Sequence, residues 1–161
     1  MTQEPSLRLY DAIQDVRQEF SRIGCLTSAA LILLGAGLDQ AIYPERAGEF
    51  FLVRLGTALA TLWVMLWVTG PNGKRYIRWL TLLWLVLPQI MIAWMIWATD
   101  GVDSIYFVGL HLALYATGII LPITFFESLT FGLFTYVLYA LACYFHPDEL
   151  QDTSRFVGVS L

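Results

Sequence analysis

Long stretches of this sequence pass almost without a charged residue, and each is about as long as the roughly 20 residues an α-helix needs to cross about 30 Å of hydrocarbon. The charges cluster between these stretches. Of the 161 residues, 14% are charged and 58% hydrophobic, whereas soluble domains carry about 25% charged residues. A water-soluble core has no use for so much apolar surface. The fold class expected is all-α, an integral membrane helical bundle.

The net charge of -4 removes the positive field that would attract nucleic acid, so no nucleic-acid partner is expected. The two cysteines, Cys25 and Cys143, lie in apolar runs far from any CxxC or Cys/His spacing and read as buried, unreactive thiols. No nucleophile elbow, phosphate loop, HExxH or pair of catalytic carboxylates occurs, and the segment is not expected to be an enzyme. Residues 1–22 carry Glu4, Asp11, Asp15 and Glu19 where a signal peptide would begin its apolar core. The first span must therefore direct its own insertion.

Within residues 1–22, Leu7, Tyr10, Ile13, Val16 and Phe20 recur at steps of three and four, which predicts an amphipathic lead-in helix that Pro5 could start. Its acids outnumber Arg8, Arg17 and Arg22, so packing on the bundle or pairing in a dimer suits it better than anionic lipid. The transmembrane bundle is expected over residues 23–161. Five complete spans are predicted, at residues 23–41, 50–68, 76–98, 105–125 and 128–145. Gly70-Pro71-Asn72-Gly73 breaks the chain after the second, and Pro122 is expected to kink the end of the fourth. Trp79, Trp84, Trp94 and Trp97 lie two near each end of the third span, as in interfacial aromatic belts. Residues 153–161 turn apolar again and read as the start of a sixth span.

Arg8, Arg17, Arg22, Lys74, Arg75 and Arg78 flank the N-terminal segment and the loop between spans two and three, and the positive-inside rule puts both in the cytoplasm. The opposite face is then acidic.

Polar groups at membrane depth are costly enough to mark candidate sites. Five stand out: Asp39, Arg54, Gln89, His111 and Glu127. Asp39 and Arg54 fall near the same ends of spans one and two, where they can form a structural ion pair or contact a ligand. His111 sits about two turns into span four, flanked at helical spacing by Phe107 and Tyr115. Its imidazole can bind a metal or haem, hydrogen-bond a ligand, or be satisfied by a nearby carbonyl or by Asp39. A haem or metal site would need a second ligand, for which His146 is the remaining histidine; no cofactor is the leading expectation. Gln89 follows Pro88 and reads as a mid-span polar kink or a helix-packing amide. Broken helices of the transporter kind do not stand out.

Leu38-Asp39, Tyr43-Pro44-Glu45, Phe50-Phe51-Leu52-Val53-Arg54-Leu55, Asp100-Gly101, Ser104, Tyr106 and Gly109-Leu110 together resemble the six-span N-terminal sensor domain of bacterial histidine kinases and class III adenylate cyclases. That family often opens its fourth span with a Ser-Pro-Tyr-Tyr-Ala-Gly-Leu-Asn-like phrase, and His111 stands at the amide position. The resemblance implies a multi-pass protein of the bacterial inner membrane, homodimeric and surrounded by membrane lipid. Such a module detects a small lipophilic signal, as quorum-sensing kinases detect a long-chain hydroxyketone, and controls a C-terminal kinase or cyclase. On this reading the chain is part of a longer receptor, and His111, Asp39, Arg54, Tyr106, Phe107 and Tyr115 contact the ligand. Two alternatives stay open: a haem- or metal-based redox sensor using His111 and His146, and a passive membrane anchor and dimerisation unit.

Overall fold

The structure, a computed structural model, describes residues 5–120 and 124–146, with side chains from residue 12 onward except 119–123. Among the described residues the chain is helical: α1 (Pro5–Leu34), α2 (Ala36–Ile42), α3 (Ala47–Thr69), α4 (Gly73–Ala98), a 3-10 turn (Gly101–Asp103), α5 (Phe107–Ile120) and α6 (Phe125–Tyr144). Four segments are long and apolar enough to cross a membrane, Ala12–Ile42, Ala47–Thr69, Gly73–Ala98 and Phe125–Tyr144. These contain or closely overlap the predicted spans one, two, three and five.

The expected fourth span is represented by α5, whose 14 residues rise about 21 Å at 1.5 Å each, short of the hydrocarbon thickness. Its start is later than expected because Ser104 to Tyr106 are used in a turn: the Tyr106 N–H faces the Ser104 hydroxyl at 3.4 Å, and the Phe107 and Val108 N–H groups donate to Ser104 and Ile105 carbonyls. Pro122 and the predicted start of a sixth span lie outside the described residues.

Two compact units divide inside α4. One holds α1, α2, α3 and α4 up to Leu87, the other α4 from Pro88, the 3-10 turn, α5 and α6.

In the first unit, α1 and α3 run antiparallel. Gln18 donates to the Val68 carbonyl at 2.6 Å, and Ile32 of α1 accepts from Arg54 of α3 at 3.2 Å, fourteen residues further along both helices in opposite directions. α4 runs parallel to α1. Its Thr81 hydroxyl meets that of Ser21 at 2.8 Å, and three residues on in both helices the Trp84 ring lies against Gly24. Lys74, just past the α3–α4 turn, pairs with Asp15, so that turn and the early part of α1 share one end of the unit.

α1 passes residues 22 and 23 without a break, so lead-in and first span are one helix. The apolar stripe also faces outward: Ile13 and Val16 are each 48% exposed and Phe20 is exposed, while Gln14, Arg17 and Ser21 on the other face are buried. The same outward face carries Asp15, Glu19 and Arg22, each more than half exposed, so this part of α1 is of mixed character and not a purely lipid-facing surface.

Hydroxyls inside the spans find partners on their own helices. Thr57, Thr61, Thr81, Thr117, Thr130 and Thr135 each donate to the carbonyl four residues back, so none needs a neighbouring helix.

The tryptophans of α4 are not equivalent. Trp79 and Trp97 are exposed, as interfacial rings would be, whereas Trp84 is buried. A Cβ on Gly24 would approach Trp84 Cη2 to 2.6 Å, so glycine is required where that ring packs. Gly24→Val is expected to destabilise the protein by about 1–3 kcal/mol through overpacking. Gly37→Ala, whose Cβ would meet nothing within 4 Å, is expected to be neutral or slightly stabilising. Unfolding midpoints in detergent would check both, and equal effects would contradict the α1–α4 register.

Candidate functional site

Two buried charges of the first unit, Asp39 and Arg54, are brought together at a helix break. Gly35 ends α1 and α2 starts at Ala36, with the Gly35 carbonyl accepting from the N–H groups of Leu38 and Asp39 at 3.0 and 3.2 Å. A Cβ at Gly35 would collide with the Arg54 guanidinium, so the lack of a side chain there is what admits the arginine. Arg54 reaches in from α3 and grips Asp39 with two bonds, Nε to Oδ2 at 2.5 Å and Nη2 to Oδ1 at 2.7 Å. Its Nη1 donates to the Ile32 carbonyl at 3.2 Å. Ile32 lies in the last turn of α1, where a helix end leaves carbonyls without an intrahelical donor.

Both side chains are buried, so the planar fork of arginine meets the carboxylate in the two-pronged geometry that suits it best. One guanidinium thus neutralises a buried acid and caps a broken helix. Its donors toward Asp39 and Ile32 are committed within the protein, which gives the pair an architectural task independent of any ligand.

The second unit holds the other candidates, Gln89, Tyr106, Phe107, His111, Tyr115, Glu127 and His146. On α5, His111 is exposed, and its Nδ1 faces the Phe107 carbonyl at 3.0 Å. A carbonyl only accepts, so Nδ1 carries the proton in this contact and Nε2 is the basic nitrogen. The imidazole stands edge-on to the Phe107 ring, with centroids 5.8 Å apart. Tyr115, one turn further on, is 67% exposed. Phe107, His111 and Tyr115 therefore form one stripe along α5, accessible in this chain. Tyr106 departs from it and is buried, one turn from the equally buried Leu110.

His146 has a different setting. It is buried just after α6, with Nε2 against the Thr99 carbonyl at 2.7 Å. The Thr99 hydroxyl contacts the Met95 carbonyl and the Ser104 hydroxyl, both at 2.7 Å, and Trp97 donates its indole N–H to the Phe145 carbonyl at 3.1 Å. These bonds tie the ends of α4 and α6 to the 3-10 turn. As haem ligand through Nε2, His146 would have to give up the Thr99 bond. Among the described residues, no three His, Cys, Asp or Glu side chains are grouped to hold a metal ion.

Glu127 and Gln89 separate clearly. Glu127 forms a capping box at the start of α6: the Thr124 N–H donates to Glu127 Oε2 at 2.9 Å, and the Glu127 N–H faces the Thr124 hydroxyl at 3.4 Å. Gln89 is fully buried, with no hydrogen-bond partner for either side-chain polar atom.

The sequence reading passed over the polar seam of α1, formed by Gln14, Arg17, Gln18 and Ser21. Its signal was present, since these residues recur at three- and four-residue steps and lead into Cys25 and Ala29, both buried.

Long apolar helices with inward-facing polar contacts and a lipid-compatible exterior define a multi-pass helical membrane protein. The model of MASE8, a family of membrane-associated sensor domains, matches residues 37–157, and the chain belongs to that family. No curated protein and no solved structure gives a match. The matched region includes Asp39, Arg54, Gln89, His111 and His146, and leaves α1 outside.

Removing one member of the Asp39–Arg54 pair leaves a buried charge unpaired, so Asp39→Leu and Arg54→Leu are each expected to cost about 3–5 kcal/mol. The double variant is expected to be far less damaging than the two losses together. A double-mutant cycle of unfolding in detergent measures this, and additivity within about 0.5 kcal/mol would contradict the pairing.

Proposed function

We propose that this chain is the receiving module of a bacterial membrane receptor, detecting a small lipophilic signal within the bilayer and passing it to a C-terminal histidine kinase or adenylate cyclase. Membership of a membrane-sensor family supports the sensing role. The observation that carries the ligand reading is the exposed stripe of α5, where the basic Nε2 of His111 lies between Phe107 and Tyr115. Aromatic faces flanking one hydrogen-bond acceptor suit an amphiphile with a short polar end, and such a molecule reaches the stripe by lateral diffusion.

The module itself performs no chemistry. It acts as a homodimer in the inner membrane with its N-terminus in the cytoplasm. The Lys74–Asp15 pair supports that orientation, because it joins the two basic segments at one end of the first unit. Signal binding alters how α5 packs, and the change reaches the output domain through the last span. For this the signal must bind the two packings with unequal affinity.

The test uses the full-length receptor in lipid nanodiscs, with output read against a long-chain hydroxyketone. His111→Ala is expected to raise the half-maximal concentration about tenfold, the equivalent of one hydrogen bond. A Soret band in the purified protein that disappears in His111→Ala would replace this reading with the haem sensor. Output insensitive to the amphiphile in wild type and variant alike would leave a passive anchor.

A further inference from the structure

The start of α5 is wound more tightly than an α-helix. The N–H groups of Phe107, Val108 and Gly109 donate to the carbonyls of Ser104, Ile105 and Tyr106, each three residues back, at 3.3, 3.2 and 2.9 Å. α-Helical bonding would reach back four. Ser104, with φ -65° and ψ 128°, has the extended backbone of an N-cap, and its hydroxyl faces the N–H of Tyr106 two residues on, where a capping side chain belongs. That capping contact is long, at 3.4 Å.

A shorter bond competes for the same hydroxyl. Gly101 takes φ 57°, in the left-handed region, and folds the chain back so that the Ser104 hydroxyl lies 2.7 Å from that of Thr99. The Thr99 hydroxyl has one proton and gives it to the Met95 carbonyl at 2.7 Å, so toward Ser104 it only accepts. Ser104 is therefore the donor, drawn toward the end of α4. Thr99 in turn is held from α6. Nε2–H of His146 donates to its carbonyl at 2.7 Å, while Trp97 of α4 donates to the Phe145 carbonyl at 3.1 Å, so two bonds cross between the ends of the helices. Ser104 and His146 are both buried, and the protein rather than water supplies their partners.

We infer that His146, Thr99 and Ser104 form a latch that sets the winding of α5. Closed, it holds the Ser104 hydroxyl toward α4 and keeps the first turn of α5 tight. Open, Ser104 closes on the Tyr106 N–H and the turn relaxes to bonds four residues back. Exchanging about 120° per residue for about 100° over three residues carries His111 and Tyr115 round the α5 axis by about 60° relative to Ser104. His146 directly follows Phe145, the C-cap of α6, so a displacement of that end pulls on the latch, and a rewinding of α5 pushes back on it. In its use this rests on the sensor reading above, to which it adds the element that changes state; the latch itself belongs to the empty chain.

Amide hydrogen exchange of the chain in lipid nanodiscs, with no ligand added, tests it. His146→Leu removes the donor to Thr99, and Thr99→Val, close in shape to the wild-type residue, removes the hydroxyl that holds Ser104 while keeping the carbonyl. Each is expected to slow exchange at Val108 and Gly109 about tenfold, because tight three-residue bonds give way to better-aligned α-helical ones. His146→Gln keeps a side-chain N–H donor and is expected to exchange like wild type. Faster exchange at these amides in either folded variant would make the bonds a plain support for α5 and overturn the inference, and so would unchanged exchange in both. Since no signal is present, that failure leaves the sensor reading standing, whereas a receptor indifferent to the hydroxyketone leaves the latch standing.

Discussion

A polar group in hydrocarbon has no water to fall back on, and that constraint orders the whole chain. It explains why the Ser21 hydroxyl of α1 is turned inward to meet that of Thr81 on α4. It also explains why threonine hydroxyls fold back onto their own helices, and why Gln18 spans to the free carbonyl of Val68 near the end of α3. The apolar residues set which segments cross. The polar ones decide which way each helix faces.

Arg54 is the strongest expression of that constraint. Arginine is a poor guest in a membrane, yet here its guanidinium meets two unmet needs at once, the Asp39 carboxylate and the Ile32 carbonyl left over by the break at Gly35. The three features depend on one another. With a side chain at residue 35 the guanidinium has no room; without the guanidinium, the carbonyl and the carboxylate lose the donors that reach them from α3. Such mutual dependence marks a fixed joint between α1, α2 and α3.

Much of this was legible in the sequence, unevenly. Spans one, two, three and five were readable because length and charge gaps are direct physical requirements of a bilayer, whereas opposite charges at matching ends of adjacent spans left an Asp39–Arg54 ion pair as one of two open readings. The break at Gly35 was hidden because glycine in an apolar run also serves close packing, and only the arginine from another helix reveals its use. The α1 seam was missed for a different reason: it recurs at the same three- and four-residue steps as the apolar stripe of Ile13, Val16 and Phe20 beside it, and periodicity alone does not say which of two parallel stripes a neighbouring helix covers. Thr124-Phe125-Phe126-Glu127 carries the spacing of a capping box, so the role of Glu127 was open to reading from the start. The exposure of His111 with Tyr115, as against the burial of Tyr106, depends on the rotation of α5, which periodicity in a uniformly apolar helix does not fix.

The candidate residues fall along a gradient of satisfaction. Asp39, Arg54, Glu127 and His146 have their principal polar atoms engaged within the chain, and each secures a helix end or a break. His111 is half committed, with Nδ1 on its own helix and Nε2 left basic on an exposed face. Gln89 has no hydrogen bond from its side chain at all. An unsatisfied buried amide costs a fold more than an apolar side chain of similar volume would, so Gln89, beside Pro88 inside α4, is the member of the set that packing alone does not account for.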